Sequence, residues 1–214
     1  MEKIVNPGMG TTMDTEKLRH LLQGNQLPKS PSVRIFSPAC VMMPLFEKND
    51  EAHILAVLKA DTKGYPWRNQ VALPGGHVDA SDDTTMSAAY RELREELNIS
   101  PKNIEMVGSL GYFQTLRQIE IEAFVGFWNG SPDEVRFDPR EISTILEVRL
   151  ADLIKTHLEN QYQGPRPGVA NLIYPTGRSS GNGQIVIWGV TAMIIHFFLE
   201  HLLKLSPEVF ATAS

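Results

Sequence analysis

Three glutamates, Glu92, Glu95 and Glu96, lie close together in the run RELREEL, residues 91–97. On a helix that advances about 100° per residue, their side chains share an arc of roughly 100°, offset from the apolar stripe. The three carboxylates would therefore converge on one patch. Such a patch is either a solvated acidic face, the commoner state of surface glutamates, or a set of oxygen ligands for a cation.

Electrostatics favours the ligand set. Glu95 and Glu96 lie in the last predicted helical turn, where the helix dipole disfavours each acid by ~0.3–1 kcal/mol. Carboxylates ~4 Å apart would also repel by about 4 kcal/mol in surroundings of effective dielectric about 20. Arg91 and Arg94 relieve only part of this repulsion. A hard divalent cation such as Mg²⁺ turns the repulsion into ligation, because it takes oxygen ligands and shares its coordination shell with substrate phosphates.

A pair of glycines precedes the helix in the stretch PGGHVDASDD, residues 74–83. The run 71–73 is typical of a short strand, and Pro74 ends it. Gly75 and Gly76 then allow backbone conformations that a side chain would forbid, so we expect a sharp turn into a loop. The sequence therefore predicts a strand, a glycine loop and a helix in succession.

The inner face and the ends of this helix can also be predicted. Residues that recur at helical spacing, and so predict the buried face, are Met86, Ala89, Tyr90, Leu93 and Leu97. Candidate N-caps are Ser81, Asp82 and Asp83. We interpret the two aspartates as helix caps rather than metal ligands. Asn98 predicts the end of the helix, since asparagine best replaces glycine in the left-handed conformation.

Hydrophobic periodicity predicts the remaining elements. Predicted strands cover residues 37–46, 53–59, 105–113 and 119–128, and a further strand lies within 142–150. Predicted helices cover residues 14–22 and 189–205, and a short helix begins near Leu150. The run 160–184 is rich in Gly, Pro, Ser and Asn, which predicts a loop with a short strand at 172–174. Without repeats or a dividing linker, these elements predict one α/β domain.

Composition excludes several classes of protein. The chain has 214 residues, 42% of them hydrophobic, which fits one large domain with a substantial core. Its formal net charge is −5, from 20 Lys and Arg against 25 Asp and Glu, so we expect no basic surface for nucleic acid or a membrane. A small anionic substrate would then need a metal ion or a few placed cations.

Cysteine usage and apolar runs give no sign of secretion. Cys40 is the single cysteine and lies in an apolar run, so we interpret it as a small buried hydrophobe. The first 17 residues hold no long apolar core. The most apolar run, 185–195, is shorter than the ~20 residues of a membrane span. We therefore expect a cytoplasmic protein.

The sequence around the glutamates resembles the signature box of the Nudix hydrolases, enzymes that cleave diphosphates linked to another moiety. The matching pattern is Gly76, the loop acid Asp82, and then Arg-Glu-Leu-x-Glu-Glu-x-x-Ile over residues 91–99. Three departures occur: Asp82 stands for a glutamate, Asn98 stands for a glycine, and the loop is one residue longer. The helical part of the box is complete.

Within the family, the chain looks most like the coenzyme A pyrophosphatase branch. A GGxxDxxD loop with the one-residue extension is similar to that branch, and the similarity covers about residues 33 to 205. Stretches that carry it are ACVMMPLF, NQVALPGG, AFVGFW, ILEVRLADLI and IWGVTAMII. The stretch LAVLKADTKGYPWRNQ departs from the branch's basic run, and Lys59 and Arg68 are the cations that would replace it.

The resemblance implies a Nudix-like α/β/α sandwich with a mixed sheet and a catalytic strand-loop-helix. Its domain would cover residues 31–206, with an N-terminal helical extension at 1–30 and a C-terminal tail at 207–214. It also implies metal-assisted hydrolysis, in which water attacks one phosphorus while Mg²⁺ or Mn²⁺ neutralises the phosphate oxygens. The expected partner is a small nucleotide diphosphate, and the apolar final helix allows a homodimer.

The resemblance also assigns roles to residues. Implied metal ligands are Glu92, Glu95, Glu96 and Gly76, and implied catalytic residues are Glu92, Glu95 and Arg91, with Arg91 orienting the glutamates. Implied substrate-binding residues are Lys59, Arg68 and Gly75. Possible additional acids are Asp82 and Glu141, the second of which is interpreted as an exposed loop acid. His196 and His201 are interpreted as packing or surface residues, and Trp188, Phe197 and Phe198 as core or a dimer surface.

Three functions remain open at this point. The first is hydrolysis of coenzyme A or acyl-CoA to 3',5'-ADP and (acyl-)4'-phosphopantetheine. The second is hydrolysis of another diphosphate, such as ADP-ribose, a dinucleotide or a nucleotide sugar, which the altered stretch before the box allows. The third is a non-catalytic nucleotide-binding module, against which the complete Arg-Glu-x-x-Glu-Glu set argues.

Overall fold

The computed structural model describes residues 14–23, 25–27, 37–64, 67–115, 119–164, 172–180 and 183–206. Its helices are α1 (Thr15–Leu22), α2 (Thr85–Leu97), α3 (Leu150–Glu159) and α4 (Gly189–Leu205). Its strands are β1 (Ser37–Lys48), β2 (Glu51–Lys59), β3 (Val71–Ala72), β4 (Gly75–His77), β5 (Ile104–Gln114), β6 (Ile119–Trp128), β7 (Ile142–Arg149), β8 (Tyr174–Ser180) and β9 (Gly183–Ile187). Short 3₁₀ turns lie at Pro101–Asn103 and Pro132–Glu134.

Strand β1 joins the two halves of the main sheet. One edge pairs in parallel with β6, and the other edge pairs antiparallel first with β4 and then with β2. Strand β2 also pairs with β3 and β7, and β5 pairs antiparallel with β6. The sheet is therefore mixed, as predicted, and the predicted strand pairs β1–β2 and β5–β6 are confirmed. Because β4 takes the first half of β1, the turn into α2 starts beside the centre of the sheet.

Helices cover both faces of this sheet. Side chains alternate between the faces of a strand, so Met42 packs in one apolar cluster and Met43 in the other. The Met42 cluster includes Leu93 of α2, whereas the Met43 cluster includes residues of α1, α3 and α4. The arrangement is the predicted α/β/α sandwich. Since Leu18 of α1 is fully buried in the second cluster, α1 packs on the same core as the rest of the fold.

The stretch 160–184 differs from its prediction. Strands β8 and β9 form an antiparallel hairpin, with Tyr174 opposite Ile187 and Ser180 opposite Gly183. The loop interpretation is therefore wrong for residues 174–180, because cross-strand pairing outweighs the turn-forming composition of that run. The predicted strand at 172–174 begins only at Tyr174. Residues 165–171 lie outside the described part of the chain.

A buried polar cluster joins α3, α4 and β8. The ring of His157, which is fully buried, lies 2.9 Å from the Tyr174 hydroxyl on one side and 2.9 Å from a Glu200 carboxylate oxygen on the other. The second oxygen of Glu200 accepts a hydrogen bond from the Gly164 N–H at 3.0 Å. The cluster fixes the packing of these elements, and it lies among residues other than the glutamates of the box.

Several predictions for single residues and ends can be checked. The bounds of α4 agree with the prediction, and His196, His201 and Phe198 are buried, as expected of packing residues. Cys40 is fully buried, and burial raises the pKa of its thiol to about 12. Within the described residues, no helix combines the length and apolarity of a membrane span. Most of the predicted extension at 1–30 and the tail at 207–214 lie outside those residues.

Candidate active site

The two glycines before α2 lie in a strand rather than in the predicted loop. Gly75 and Gly76 belong to β4, where they pair with Val41 and Cys40 of β1. A Cβ atom on Gly75 would lie 2.1 Å from the Cys40 carbonyl oxygen. The loop interpretation is therefore wrong, and its physical reason is packing: glycine permits β4 to approach β1 closely, since any side chain on Gly75 would overlap backbone.

Helix α2 begins one residue later than the predicted caps. Thr84 is the N-cap, and its hydroxyl and the Ser87 side chain form a reciprocal capping box. The prediction of Ser81, Asp82 or Asp83 as the cap is therefore wrong. Asn98 ends the helix at φ 56°, in the left-handed conformation, as predicted.

The buried face of α2 is close to its prediction. Buried residues of the helix are Ala88, Ala89, Leu93 and Leu97. Met86, predicted to face the core, is 42% exposed, so this part of the prediction is wrong. Glu92 and Glu96 lie beside this buried stripe, one and two turns after Ala88, and both reach the glycines of β4.

Glu92 lies against the backbone of β4. Its side chain is 15% exposed, and a Cβ atom on Gly76 would lie 2.5 Å from its Oε1 atom. Burial raises the pKa of Glu92, Arg91 lowers it, and the negative charges of Glu96 and Glu95 raise it further, so that the pKa lies above its usual value of 4.5. The structure therefore contains a carboxylate that is held in place and costly to ionise.

Glu96 and Glu95 differ in their surroundings although they are neighbours in sequence. The Glu96 side chain is 9% exposed; one oxygen forms an ion pair with Lys59, and the other accepts the Gly75 N–H at 3.1 Å. The Glu95 side chain is 59% exposed and is bound by Arg91. The three glutamates are therefore a graded set, with Glu96 most enclosed, Glu92 next and Glu95 at the surface.

Arg91 connects the loop before α2 to two of its glutamates. Its guanidinium donates to Glu92 at 2.8 Å, to Glu95 at 2.9 Å and to Asp82 at 2.9 Å. It also donates to the His77 carbonyl at 3.0 Å. The hydrogen bond from Arg91 holds the pKa of Asp82 below its usual value. Asp82 therefore acts in this structure as the anchor of Arg91 rather than as a helix cap.

A cavity of about 730 Å³ opens at these residues. Of the predicted site residues, those that line it are Lys59, Gly75, Gly76, Glu92, Glu96 and Glu141. Those outside its lining are Arg68, Asp82, Arg91 and Glu95. Arg68 is 57% exposed and lies 3.8 Å from Asp61. The backbone carbonyl of Glu141 accepts a hydrogen bond from the Ala60 N–H at 2.9 Å, which places this loop acid beside the end of β2.

Another part of the cavity lining was not predicted from the sequence. It includes Trp188, Gly189, Val190 and Thr191 at the start of α4. Trp67 also lines the cavity, and its ring lies 6.5 Å from that of His77 in β4. Trp188 is 50% exposed, so it is not a core residue: it precedes α4 as the N-cap and borders the cavity. The alternative interpretation of Trp188 as part of a dimer surface stays a prediction. The signal in the sequence was a tryptophan directly before the glycine that starts the predicted last helix.

The donors at the acidic end of the cavity fit a hard divalent cation. Carboxylate oxygens of Glu92 and Glu96 border the same space as the Gly75–Gly76 backbone, and oxygen ligands are those that Mg²⁺ and Mn²⁺ prefer. The structure balances their charge with Lys59 and Arg91. Within the described residues, no three His, Cys, Asp or Glu side chains are grouped closely enough to form a complete ligand set.

Comparison with known proteins identifies the family of this domain. A profile of the NUDIX domain matches residues 37–172, which is more than half of the chain. The chain belongs to the Nudix family. The match includes β1, the β4–α2 unit and the three glutamates, so the resemblance seen in the sequence is confirmed at the level of the family.

Curated relatives of this Nudix chain are hydrolases by name. The "Uncharacterized Nudix hydrolase NudL" of Enterobacter sp. (strain 638) is 26% identical over 159 residues, covering 73% of this chain and 78% of that protein. "Nudix hydrolase 22, chloroplastic" of Arabidopsis thaliana is 25% identical over 158 residues, covering 73% of this chain but only 52% of that protein. The chain is accordingly an enzyme of the class that hydrolyses pyrophosphate bonds.

A solved structure shows the same fold over most of the chain. The MutT/nudix family protein from Enterococcus faecalis superposes with a TM-score of 0.51 at 17% identity, covering 89% of this chain and 74% of that one. The likeness therefore concerns the fold, including the sandwich and its mixed sheet.

Proposed function

We propose that this Nudix hydrolase cleaves the diphosphate of coenzyme A or acyl-CoA, with Mg²⁺ or Mn²⁺, to give 3',5'-ADP and (acyl-)4'-phosphopantetheine. The observation that carries the proposal is Glu92, a partly buried carboxylate with a raised pKa, set against Gly76 at the acidic end of the cavity. Perturbed carboxylates in clefts are typical of acid–base and ligand sites.

The residues that would hold the metal ion are Glu92 and Glu96, with the Gly76 backbone and Glu95 as further candidates. The bound ion supplies positive charge for the phosphate oxygens and acidifies a water molecule. The chain's own contribution is to keep the two carboxylates at one end of the cavity. Lys59 and Arg91 hold them there by ion pairs with Glu96 and Glu92 respectively.

We assign proton acceptance from the attacking water to Glu92. A general base works best when its pKa lies near the working pH, and burial moves the pKa of Glu92 in that direction. Glu95 lies outside the cavity lining and its side chain is largely exposed, which favours Glu92 over Glu95. Glu141 lines the cavity and is the second candidate for this role.

The coenzyme A assignment rests on the one-residue extension of the loop after Gly76 and on the stretches similar to that branch. The cavity of about 730 Å³ lies within the range of ~300–1,000 Å³ that is usual for small-molecule sites. Two tryptophans on its walls, Trp67 and Trp188, offer apolar faces for a nucleobase. These features suit a nucleotide-containing substrate.

A second candidate function has one observation in its favour. The altered stretch holds Lys59, Lys63 and Arg68, and of these Lys59 alone lines the cavity. Fewer cations than the coenzyme A branch supplies would favour ADP-ribose, a dinucleotide or a nucleotide sugar. Cytoplasmic localisation and a homodimer through α4 stay predictions.

A substrate panel tests the proposal. Coenzyme A, acetyl-CoA, ADP-ribose, a diadenosine polyphosphate and a nucleotide sugar would each be incubated with Mg²⁺ and with Mn²⁺, and products identified by mass spectrometry. We expect 3',5'-ADP and 4'-phosphopantetheine from coenzyme A. Turnover of ADP-ribose with inert coenzyme A would contradict the choice of substrate, and failure to cleave any diphosphate would contradict the enzymatic assignment.

A further inference from the structure

We infer that the first turn of α4, together with the Thr191 hydroxyl, binds a phosphate group of the substrate other than the pair whose linkage is cleaved. This inference rests on the proposed function, because it assumes a nucleotide diphosphate in the cavity. It assigns a binding role to residues outside the glutamate-bearing helix.

Backbone N–H groups at the start of α4 are available to a ligand. The N-cap Trp188 supplies no side-chain acceptor, and its carbonyl accepts the Ala192 N–H at 3.5 Å. The N–H groups of residues 189–191, which precede that bond, meet no acceptor among the described residues. All three residues line the cavity. Helix α4 spans 17 residues, so the helix dipole places partial positive charge at its N-terminal end. That end borders the cavity, because residues 189–191 line it.

The Thr191 side chain is the second, independent observation. Thr191 is 7% exposed, lies in the same turn and lines the same cavity. Its hydroxyl has no hydrogen-bond partner within the described part of the chain. A hydroxyl that the protein leaves without a partner bonds water or a ligand instead, and this one belongs to a residue of the cavity lining. Thr191 therefore adds a side-chain donor to the row of backbone donors at a place where the protein offers no acceptor.

The chemistry of this turn suits a phosphate group. Helix N-termini bind anions because their N–H groups and the helix dipole both favour negative charge. A Cβ atom added to Gly189 would meet no atom within 4 Å, so there is open space beside the first residue of this turn. The acids at the other part of the lining, Glu92, Glu96 and Glu141, repel an anion unless a cation is present. Lys59 and Arg140 also line the cavity, but each already pairs with a carboxylate, Glu96 and Asp138 respectively. The first turn of α4 therefore adds an electropositive position whose donors the described residues leave unpaired.

A substrate with an additional phosphate monoester would use both positions. Its diphosphate would lie at the glutamates with the metal ion, and its monoester would lie at α4. Coenzyme A belongs to this class because its ribose carries a 3'-phosphate, whereas ADP-ribose lacks one. Thr191 would then contribute to the choice between the two candidate substrates.

Equilibrium binding of two nucleotides tests the inference without turnover. Calorimetry with Mg²⁺ would compare 3',5'-ADP and 5'-AMP on the wild-type protein, Thr191→Val, Thr191→Ser and Thr144→Val. Thr144→Val is the matched control, because its hydroxyl is already bonded to the Ile145 carbonyl in β7, away from the cavity lining. Thermal unfolding of each variant would verify that it is folded.

The wild-type protein is expected to bind 3',5'-ADP more tightly than 5'-AMP. Loss of one hydrogen bond to a charged group predicts that Thr191→Val weakens 3',5'-ADP binding by roughly tenfold and leaves 5'-AMP unchanged. Thr191→Ser should restore the preference, and Thr144→Val should retain it. Equal weakening of both ligands, or unchanged 3',5'-ADP binding, would overturn the inference.

The wild-type comparison keeps the inference falsifiable if Thr191→Val does not fold. Equal affinity of the wild-type protein for 3',5'-ADP and 5'-AMP would by itself overturn the second phosphate position. This failure is distinct from failure of the proposed function, which is decided by whether any diphosphate is cleaved in the substrate panel.

Discussion

Gly76 and Glu92 occupy adjoining space: a Cβ atom on Gly76 would lie 2.5 Å from Oε1 and 2.7 Å from Cδ of Glu92. The glycine of β4 is therefore what allows the Glu92 carboxylate to lie against the backbone. On the other side of the same strand, Gly75 faces the Cys40 carbonyl. Neighbouring glycines thus have different functions, one in placing a carboxylate and one in pairing β4 with β1.

Gly76→Ala should impair catalysis more than folding. The atoms that must move are the end of a flexible side chain, so the loss of unfolding free energy should stay below the ~1–3 kcal/mol that is usual for overpacking. The displaced Glu92 should lower kcat/KM by about a hundredfold, since misplacement of about 1 Å has such an effect. Steady-state kinetics and chemical denaturation would measure both.

Gly75→Ala provides the matched comparison, because its Cβ would overlap the Cys40 backbone instead. We expect it to destabilise the fold more than Gly76→Ala does. The combination Gly76→Ala with Glu92→Gln should be no worse in turnover than Glu92→Gln alone. Full additivity of the two losses would show that Gly76 does not act through Glu92.

Asp82→Asn should release Arg91 from the loop. Asp82 accepts from the Arg91 guanidinium that also holds Glu92 and Glu95, and comparable supporting residues cost ~10–100-fold in metal affinity or activity when mutated. The exposed Asp83 forms the control as Asp83→Asn, which should retain activity. Metal titrations and turnover would be compared for both variants. Equal effects of the two substitutions would remove the anchoring role of Asp82.

Lys59→Met should lower the free energy of unfolding, because it leaves the buried Glu96 carboxylate without its ion-pair partner. The two side chains are 6% and 9% exposed, and breaking a buried ion pair by removing one partner costs ~3–5 kcal/mol. Mg²⁺ should recover part of this loss, because it would restore positive charge beside Glu96. Lys48→Met, at the more exposed pair with Glu147, should cost at most ~1 kcal/mol. Denaturation of the wild-type protein and both variants, each with and without Mg²⁺, gives the six unfolding free energies needed. An equal Mg²⁺ effect in both variants would be inconsistent with ligation at Glu96.

Stability of the metal-free protein should fall as pH rises from about 4.5, the usual pKa of Glu92, through its raised value in the folded state. In that range the folded protein binds more protons than the unfolded chain, so raising the pH favours unfolding.

Glu92→Gln should remove this part of the pH dependence, and the exposed Glu47→Gln should not. Mg²⁺ should oppose the decline, since it binds the ionised carboxylate. Unfolding free energies between pH 4 and 8 would measure the effect; identical profiles for Glu92→Gln and the wild-type protein would contradict it.

Local sequence patterns predicted much of the fold, because the conformation of those segments follows from their own burial pattern and residue preferences. The apolar runs of β1 and β2 follow from burial on both faces of the sheet, and the helical spacing in α2 follows from burial of one face of the helix. Asn98 ends α2 through its own conformational preference. The hairpin β8–β9 was missed because its Gly, Pro and Ser content is typical of loops, and its strands form only by pairing with each other. Gly75 was misinterpreted as a loop residue because it forms a strand only by pairing with β1, which lies far away in sequence.

The site was predicted in part for a related physical reason. One helix carries the three glutamates, so their common face follows from helical geometry alone. Their unequal exposure depends on Lys59 and Gly75, which lie on other elements and meet Glu96 only in the folded chain. The cavity wall formed by Trp188 and Thr191 depends on how α4 packs against the sheet, which single-sequence periodicity does not specify.

The central claim is that diphosphate hydrolysis takes place at the Glu92 end of the cavity. Its most direct test is kcat/KM for coenzyme A with saturating Mg²⁺, measured for the wild-type protein and for Glu92→Gln of verified fold. The wild-type protein should release 3',5'-ADP and 4'-phosphopantetheine, and Glu92→Gln should be slower by ~10²–10⁴-fold, as expected for loss of a general base. A Glu92→Gln variant that cleaves coenzyme A at the wild-type rate would contradict the claim.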